Sequence, residues 1–176
     1  MRNFTLYQTI KAMKKTTVLL VLTILITLSA KSQSIESIGT TAGVAGNQNG
    51  NGYVYGVWIQ GNKFGAEYHY SISTSHLQIN NDLTNVNFSY YIANSFGITY
   101  KTAKTLNGSG FVGLGMQSIY SETISTKNNR WQQDYLPYVS FGGTTRLNDI
   151  FNLRGEAIIG KVYSIGVGIG MNINRL

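Results

Sequence analysis

The segment V-Y-S-I-G-V-G-I-G-M-N-I-N, residues 162–174, alternates strictly between two kinds of side chain. One set is mostly large and apolar: Tyr163, Ile165, Val167, Ile169, Met171 and Ile173. The other set is small or polar: Ser164, Gly166, Gly168, Gly170, Asn172 and Asn174. Because successive side chains of a β-strand point to opposite faces, this segment predicts a strand with one greasy face and one small, polar face.

The same alternation recurs along the chain and predicts an all-β protein of eight antiparallel strands. We place them at 35–46, 53–60, 64–73, 85–101, 111–123, 135–145, 150–159 and 162–174. Segment 85–101 could be one long, bent strand or two strands joined by Ala93-Asn94-Ser95. Bacterial single-chain barrels have an even number of strands, which favours one strand here. Residues 73–82 are predicted to form a polar loop or protruding strand ends, and residues 125–133 a polar loop. A turn is predicted at 105–110, and Pro137 is placed near a rim.

The N-terminus has the pattern of a cleavable signal peptide. Four basic residues open it: Arg2, Lys11, Lys14 and Lys15. An apolar run at 16–30 follows, and cleavage before Gln33 would divide the chain into a signal peptide (1–32) and a mature domain (33–176). A retained membrane anchor is the alternative, although the apolar run is shorter than the ~20 residues that span a bilayer. Met13 offers a second start site.

Composition excludes several classes of function. Of the fourteen basic residues, five lie in 1–32, which leaves nine against seven acidic residues and a net charge of +2 after cleavage. Nucleic acid is therefore not an expected partner. The chain has no cysteine, so no disulfide stabilises it. No apolar segment of ~20 residues follows position 32, so a membrane-spanning mature chain must span as strands.

Alternation alone leaves open which face is outside, because a soluble lipocalin-like barrel would point the greasy face inward. Charged residues make up only 12% of the chain, against ~25% of the residues in ordinary soluble domains, which is too few to cover a soluble surface. Eleven glycines lie on the polar faces: 39, 43, 56, 65, 97, 113, 115, 142, 166, 168 and 170. Nine tyrosines lie on the greasy faces: 53, 55, 68, 70, 90, 100, 120, 135 and 163.

A narrow barrel interior requires small residues, and tyrosine is typical of the aromatic girdles at lipid interfaces. These patterns predict an eight-stranded transmembrane β-barrel in the outer membrane of a Gram-negative bacterium, with the lipid bilayer as its first partner.

An inward polar face would place five ionisable residues in the lumen: Glu67, His69, Lys101, Arg154 and Glu156. Charges removed from water must be paired, so we expect Glu67 and Glu156 to bond with Arg154 and Lys101. Such a network could form a proton or ion path. It could instead be a satisfied plug, which we favour because eight strands leave room mainly for side chains.

Catalytic and metal sites find little support. Only His69 and His76 are available, cysteine is absent, and the spacing of metal ligands is not met, so no metal or cofactor is expected. Ser71 lies two residues from His69 on one face, a common coincidence that leaves an outer-membrane hydrolase or acyltransferase as a minor alternative. The Gly166-x-Gly168-x-Gly170 pattern follows from strand alternation, because no helix follows it.

Two polar tips are better candidates for binding, 73–81 and 127–133. Trp131 and Tyr135 beside Lys127 and Arg130 could hold a partner, although aromatic residues also mark the headgroup boundary.

Four segments carry a family resemblance: G-N-K-F-G-A-E-Y-H-Y (61–70), G-L-G-M-Q-S-I-Y-S-E-T-I (113–124), L-N-D-I-F-N-L-R-G-E-A-I-I-G (147–160) and G-V-G-I-G-M-N (166–172). In this order they resemble the conjugal transfer protein TraO family, small exported proteins of conjugative transposons. The resemblance implies an outer-membrane barrel that serves a conjugative transfer apparatus, with a structural or binding role and protein partners in a transfer or envelope complex. The alternative is a generic OmpX/OmpA-like protein of adhesion or envelope stress.

Overall fold

The computed structural model describes residues 35–47, 50–73, 76–79, 86–125 and 130–173. Within these ranges the chain forms nine antiparallel strands. They are β1 (Ile35–Asn47), β2 (Gly50–Gly61), β3 (Phe64–Ser73), β4 (His76–Ile79), β5 (Val86–Lys104), β6 (Gly108–Ser125), β7 (Arg130–Arg146), β8 (Phe151–Ile159) and β9 (Tyr163–Asn172). In these ranges no helix is long and apolar enough to span a membrane. The predicted signal peptide, 1–32, lies outside the described residues.

The sheet closes into a barrel of eight strands, as the alternation predicts. Each strand pairs with the next one along the chain except β3, which pairs with β5 instead of β4, and β1 pairs with β9. Strand β4 pairs with β5 alone and continues the line of β3, since Ile72 lies opposite Ile92 and His76 lies opposite Ser89. We therefore count β3 and β4 as one barrel position. Closure pairs the edges of the sheet, which a bilayer requires because its core offers no water to backbone groups.

The described part of segment 85–101, residues 86–101, belongs to a single strand. β5 pairs with β6 continuously from Asn87 opposite Ser125 to Lys104 opposite Ser109, with one irregularity between Lys101 and Ala103. The predicted turn at 105–110 was too long, because β6 already begins at Gly108. Part of the predicted loop at 125–133 was also wrong, because β7 begins at Arg130. In both places the first residues of the strand are mostly small or polar. They lack the alternation of apolar side chains on which the prediction depends.

The greasy faces point outward and the polar faces point inward. Exposed side chains on the outside include Leu114 (70% exposed) and Val167 (65%). The outward tyrosines expose up to 59% of their surface, as at Tyr135. A soluble lipocalin-like barrel is excluded, because that architecture buries its greasy face in the core.

The inward glycines make room for four large side chains in the lumen. A methyl group added at Gly39 or Gly170 would lie 2.5 Å from ring carbons of Trp58. At Gly97 or Gly115 it would collide with the ring of Tyr138. Gly56 faces His69 and Gly142 faces Phe111 in the same way. The inner surface of the barrel is therefore bare backbone where these four side chains contact it.

The two ends of the barrel differ in height. We call the end where β1 begins and β9 ends the terminal end. The connections between strands are short there. At the opposite end, β4, β5, β6 and β7 continue beyond their neighbours. We define the protruding wall as residues 76–79, 86–91, 120–125 and 130–135, which lie beyond the last pair of the β7–β8 ladder, Val139 opposite Ile159.

Replacing Gly170 with alanine should destabilise the barrel, because the new methyl group collides with the Trp58 ring. We expect a loss of about 1–3 kcal/mol in the free energy of unfolding, measured in urea with the protein in lipid vesicles. The matched control is Gly155→Ala, where nothing lies within 4 Å of the added methyl group. That variant should stay within about 0.5 kcal/mol of the parent. Equal effects at both positions would contradict the packing described here.

Candidate functional site in the barrel lumen

Four of the five ionisable residues predicted for the lumen meet at its centre. Glu67 and His69 are two residues apart on β3, and Arg154 and Glu156 are two residues apart on β8, so each pair shares the inward face. In the closed ring β3 and β8 lie four positions apart in both directions, directly across the lumen. We call Glu67, His69, Arg154 and Glu156 the ionic lattice.

Arg154 links the two carboxylates of the lattice. Its Nη2 donates to Glu67 Oε2 at 2.8 Å, and its Nε donates to Glu156 Oε2 at 2.7 Å. His69 Nε2 lies 2.6 Å from Glu156 Oε1. A carboxylate oxygen only accepts, so this contact assigns the proton to Nε2. All four side chains are almost completely buried.

The remaining oxygen of Glu67 has donors of its own. Ser140 Oγ donates to Glu67 Oε1 at 2.5 Å, and the Tyr138 hydroxyl donates to the same atom at 3.2 Å. Both donors come from β7, beside β8. All four carboxylate oxygens of the lattice therefore have a donor, which is the condition for burying charge.

Two aromatic rings enclose the Arg154 guanidinium. Its central carbon lies 3.8 Å from the centroid of the Phe111 ring and 5.1 Å from that of Trp58. A cation over a ring face is attracted by the ring quadrupole, and the attraction grows as water is excluded. The rings therefore both fill the lumen and stabilise its central positive charge.

Lys101 does not join the lattice. It lies at the terminal end, next to the irregularity in β5, and its Nζ donates to Glu36 Oε2 at 2.6 Å. Its carboxylate partner there, Glu36, is 28% exposed. Strand alternation gives Lys101 the same face as the buried Thr99, but alternation does not predict the height of a residue along the barrel.

Sequence reasoning missed Tyr138, Ser140, Trp58 and Phe111 as contacts of the lattice. Each of them lies on the inward face of its strand, whereas neighbours such as Val139 point outward. Strand alternation combined with the pairing of the strands could have predicted these contacts.

The lattice also brings three metal-ligand residue types together. One ligand atom each from Glu67, His69 and Glu156 lie within 4.8 Å of one another. The sequence spacing gave no sign of this convergence, because the residues come from opposite strands. The guanidinium of Arg154 already bonds to both carboxylates. The donor set therefore matches an arginine cation rather than a metal ion.

The lattice shows no arrangement for nucleophilic catalysis among the described residues. The Ser140 hydroxyl donates to a carboxylate, and His69 directs Nε2 to Glu156. His69 Nδ1 has no hydrogen-bond partner within the described part of the chain. Ser71, which is also buried, is not bonded to that atom. A serine activated by histidine needs this bond.

Above the lattice, an apolar cluster fills the lumen toward the protruding wall. Its members are Ala45, Val54, Tyr91, Ala93, Ile119 and Val162. Val162 belongs to the β8–β9 turn, which bends into the lumen and is held by the buried side chain of Gln117. Gln117 Nε2 donates to the Val162 carbonyl at 2.7 Å, and the Val162 amide donates to Gln117 Oε1 at 3.2 Å.

The same turn is tied to the protruding wall by an ion pair. Lys161 Nζ lies 2.5 Å from Asp134 Oδ2. Hydrogen bonds from Lys161 and Gln132 lower the pKa of the Asp134 carboxyl below its ordinary value. Rings, lattice and apolar cluster together fill the lumen from one end toward the other.

The polar tips predicted at 73–81 and 127–133 are only partly described. The backbone of His76–Ile79 pairs with β5, and residues 130–133 belong to β7. Residues 74–75, 80–81 and 127–129 lie outside the described ranges, as does the Trp131 side chain. Tyr135 is exposed on the outside of β7 and accepts a hydrogen bond from Gln133 at 2.7 Å.

Several solved structures share this fold at low sequence identity. Ail, the attachment invasion locus protein of Yersinia pestis, matches with a TM-score of 0.53 and 12% identity over 78% of this chain and 99% of that one. The N-terminal barrel domain of Pseudomonas aeruginosa OprF gives 0.55 and 15% over 80% and 100%. Neisserial surface protein A gives 0.52 and 12% over 79% and 97%. The chain therefore has the fold of small outer-membrane β-barrels.

No protein-family model matches the chain, and no curated protein matches it in sequence.

Replacing Arg154 with methionine should strongly destabilise the barrel, because two buried carboxylates lose their shared cation. We expect a loss of about 3–5 kcal/mol in the free energy of unfolding, measured in urea with the protein in vesicles. Adding Glu67→Gln and Glu156→Gln should restore part of it. The control is Lys101→Met, which breaks a rim pair and should cost about 1 kcal/mol or less. If Arg154→Met left the free energy of unfolding unchanged, the two buried carboxylates would not need the arginine cation.

Proposed function

We propose that this protein is a small outer-membrane barrel of a Gram-negative bacterium with a structural or binding role, exported by a signal peptide at 1–32. The observation that carries the proposal is the mismatch in strand length. β8 and β9 have 9 and 10 residues, whereas β5, β6 and β7 have 19, 18 and 17. About 9–11 residues cross a bilayer, so the longer strands must continue into water.

Outward side chains support a boundary at the base of the protruding wall. Below it, β5 and β6 present Phe96, Ile98 and Leu114; at the boundary they present Asn94 and Ser118. Above it, Glu122 on the wall accepts a hydrogen bond from the Tyr90 hydroxyl. This bond, together with burial and the negative charge of Glu122, raises the pKa of Tyr90 to about 12. A carboxylate at this height requires water or headgroups around it.

The wall faces the outside of the cell in this proposal. Outer-membrane barrels keep short turns in the periplasm and longer segments outside, and the short connections of this chain lie at the terminal end. The filled lumen supports an anchoring role rather than transport. The absence of a serine–histidine bond in the described lattice supports a non-enzymatic role.

Photo-crosslinking on intact cells tests the binding role. A benzophenone amino acid at the exposed position Gln132 should form discrete adducts with a protein, and protease added outside the cells should remove them. The control position is Val167, which lies on the lipid-facing surface and should give no protein adduct. Identical patterns at both positions, or none at Gln132, would overturn the binding role of the wall.

We further propose, on the four segments that resemble the TraO family, that the transfer apparatus of a conjugative element uses this barrel as an accessory. Deleting the gene should then lower mating frequency, and the full chain should restore it. A chain whose wall is shortened by joining Tyr120 to Gln133, which lie opposite each other, should not restore it. Unchanged mating frequency after deletion would refute this role and leave adhesion or envelope stress as the alternative.

A further inference from the structure

Strand β7 has a ladder on one side that is longer than the ladder on the other. On the β6 side, pairing runs from Arg130 opposite Thr123 to Thr145 opposite Gly108. On the β8 side, pairing begins only at Val139 opposite Ile159. In the described part of the chain, residues 134–138 therefore have no strand beside them on the β8 side. We call residues 134–138 the open edge.

The β8–β9 turn is the segment nearest to the open edge, and it packs beside Tyr138 without adding a strand to that edge. It bends into the lumen, where Val162 is only 1% exposed and Gln117 bonds to its backbone. Lys161 contacts the side chain of Asp134, and no strand pairing continues along residues 134–138 on this side in the described part of the chain. An uncovered strand edge presents donors and acceptors to any extended chain that approaches it.

Pro137 indicates which backbone groups face the open edge. Proline lacks an N–H, so it fits a sheet where its nitrogen points away from the ladder. The β6 side of β7 is paired at Pro137, opposite Met116. The nitrogen of Pro137 accordingly faces the open edge, and Tyr135, two residues away, directs its N–H and C=O to the same side.

We propose that an extended segment of a partner protein adds to the open edge as a strand antiparallel to β7. This inference rests on the proposed binding role of the wall and names the partner chemistry. Outward side chains of the segment would lie beside the exposed Tyr135, and inward ones beside the Asp134–Lys161 ion pair. The segment should therefore alternate apolar or aromatic residues with polar ones.

A second copy of this chain is a poor occupant. Two copies in one membrane insert in the same direction, so their β7 strands run the same way. Antiparallel pairing of two β7 edges needs a two-fold axis across the strands, which would turn one barrel upside down. Parallel pairing between identical edges would join donor to donor at symmetric positions. The occupant is therefore a segment of a different protein.

A random peptide library on phage, with peptides as long as the segment 130–138, tests the proposal on the processed full chain in lipid nanodiscs. Selected peptides should show alternating apolar and polar positions. They should bind about tenfold more weakly to Tyr135→Pro, which removes the edge N–H and leaves the β6 ladder intact. Tyr135→Phe, which keeps the backbone, should bind as the parent does. Heat-modifiable gel migration checks that both variants fold.

Amide hydrogen exchange locates the bound peptide. Peptide binding should slow amide exchange at Tyr135 and leave amide exchange in strand β9 unchanged. Failure to select any peptide, peptides without alternation, or equal binding to Tyr135→Pro would overturn the proposal. Dimers of the parent chain that vanish in Tyr135→Pro would also overturn it in favour of a second copy. If crosslinks from position 132 persist in Tyr135→Pro, the binding role stands and strand addition fails.

Discussion

Hydrocarbon cannot hydrogen-bond, and this one constraint determines the arrangement of the whole domain. Backbone groups must be satisfied within the sheet, which closes on itself through the β1–β9 and β3–β5 ladders. Charged side chains within the spanning region can then go only inward. Eight strands enclose a lumen about as wide as its side chains, so the bulkiest aromatic residues inside need bare backbone beside them. The inward glycines opposite Trp58, Tyr138 and Phe111 satisfy that requirement.

The ionic lattice follows from the same constraint. Burying an ion pair is often no better than burying apolar groups of similar volume, so the lattice need not add stability. What it adds is a set of directional bonds that only one alignment of β3 and β8 satisfies. A one-residue slip of either strand would turn Glu67 or Arg154 toward lipid. We therefore interpret the lattice as a device that specifies register, with Phe111 and Trp58 holding its central cation.

The sequence was sufficient to predict the fold class, the closed ring and the inward face, because alternation, sparse charge and the placement of glycine and tyrosine agree. It was not sufficient to predict where strands end. Alternation marks only the portion in lipid, so the extensions of β6 to Gly108 and of β7 to Arg130 were read as turn and loop. Height was also hidden: Lys101 and Arg154 share the inward face, but the stagger of the strands sends Lys101 to Glu36. Strand alternation predicts which face a side chain occupies, but its contact partner depends on the register of all eight strands.

The lattice has a further consequence for the order of events during biogenesis. Its bonds join residues 87 positions apart, and they form only when strands from both halves of the chain face each other. A partly closed sheet would hold Glu67 away from Arg154 and leave the Glu67 carboxylate without its cation beside lipid tails. Insertion should therefore proceed as one late, concerted event, slow because its decisive contacts are so distant along the polypeptide. Until that moment the newly exported chain needs water or a chaperone around these side chains.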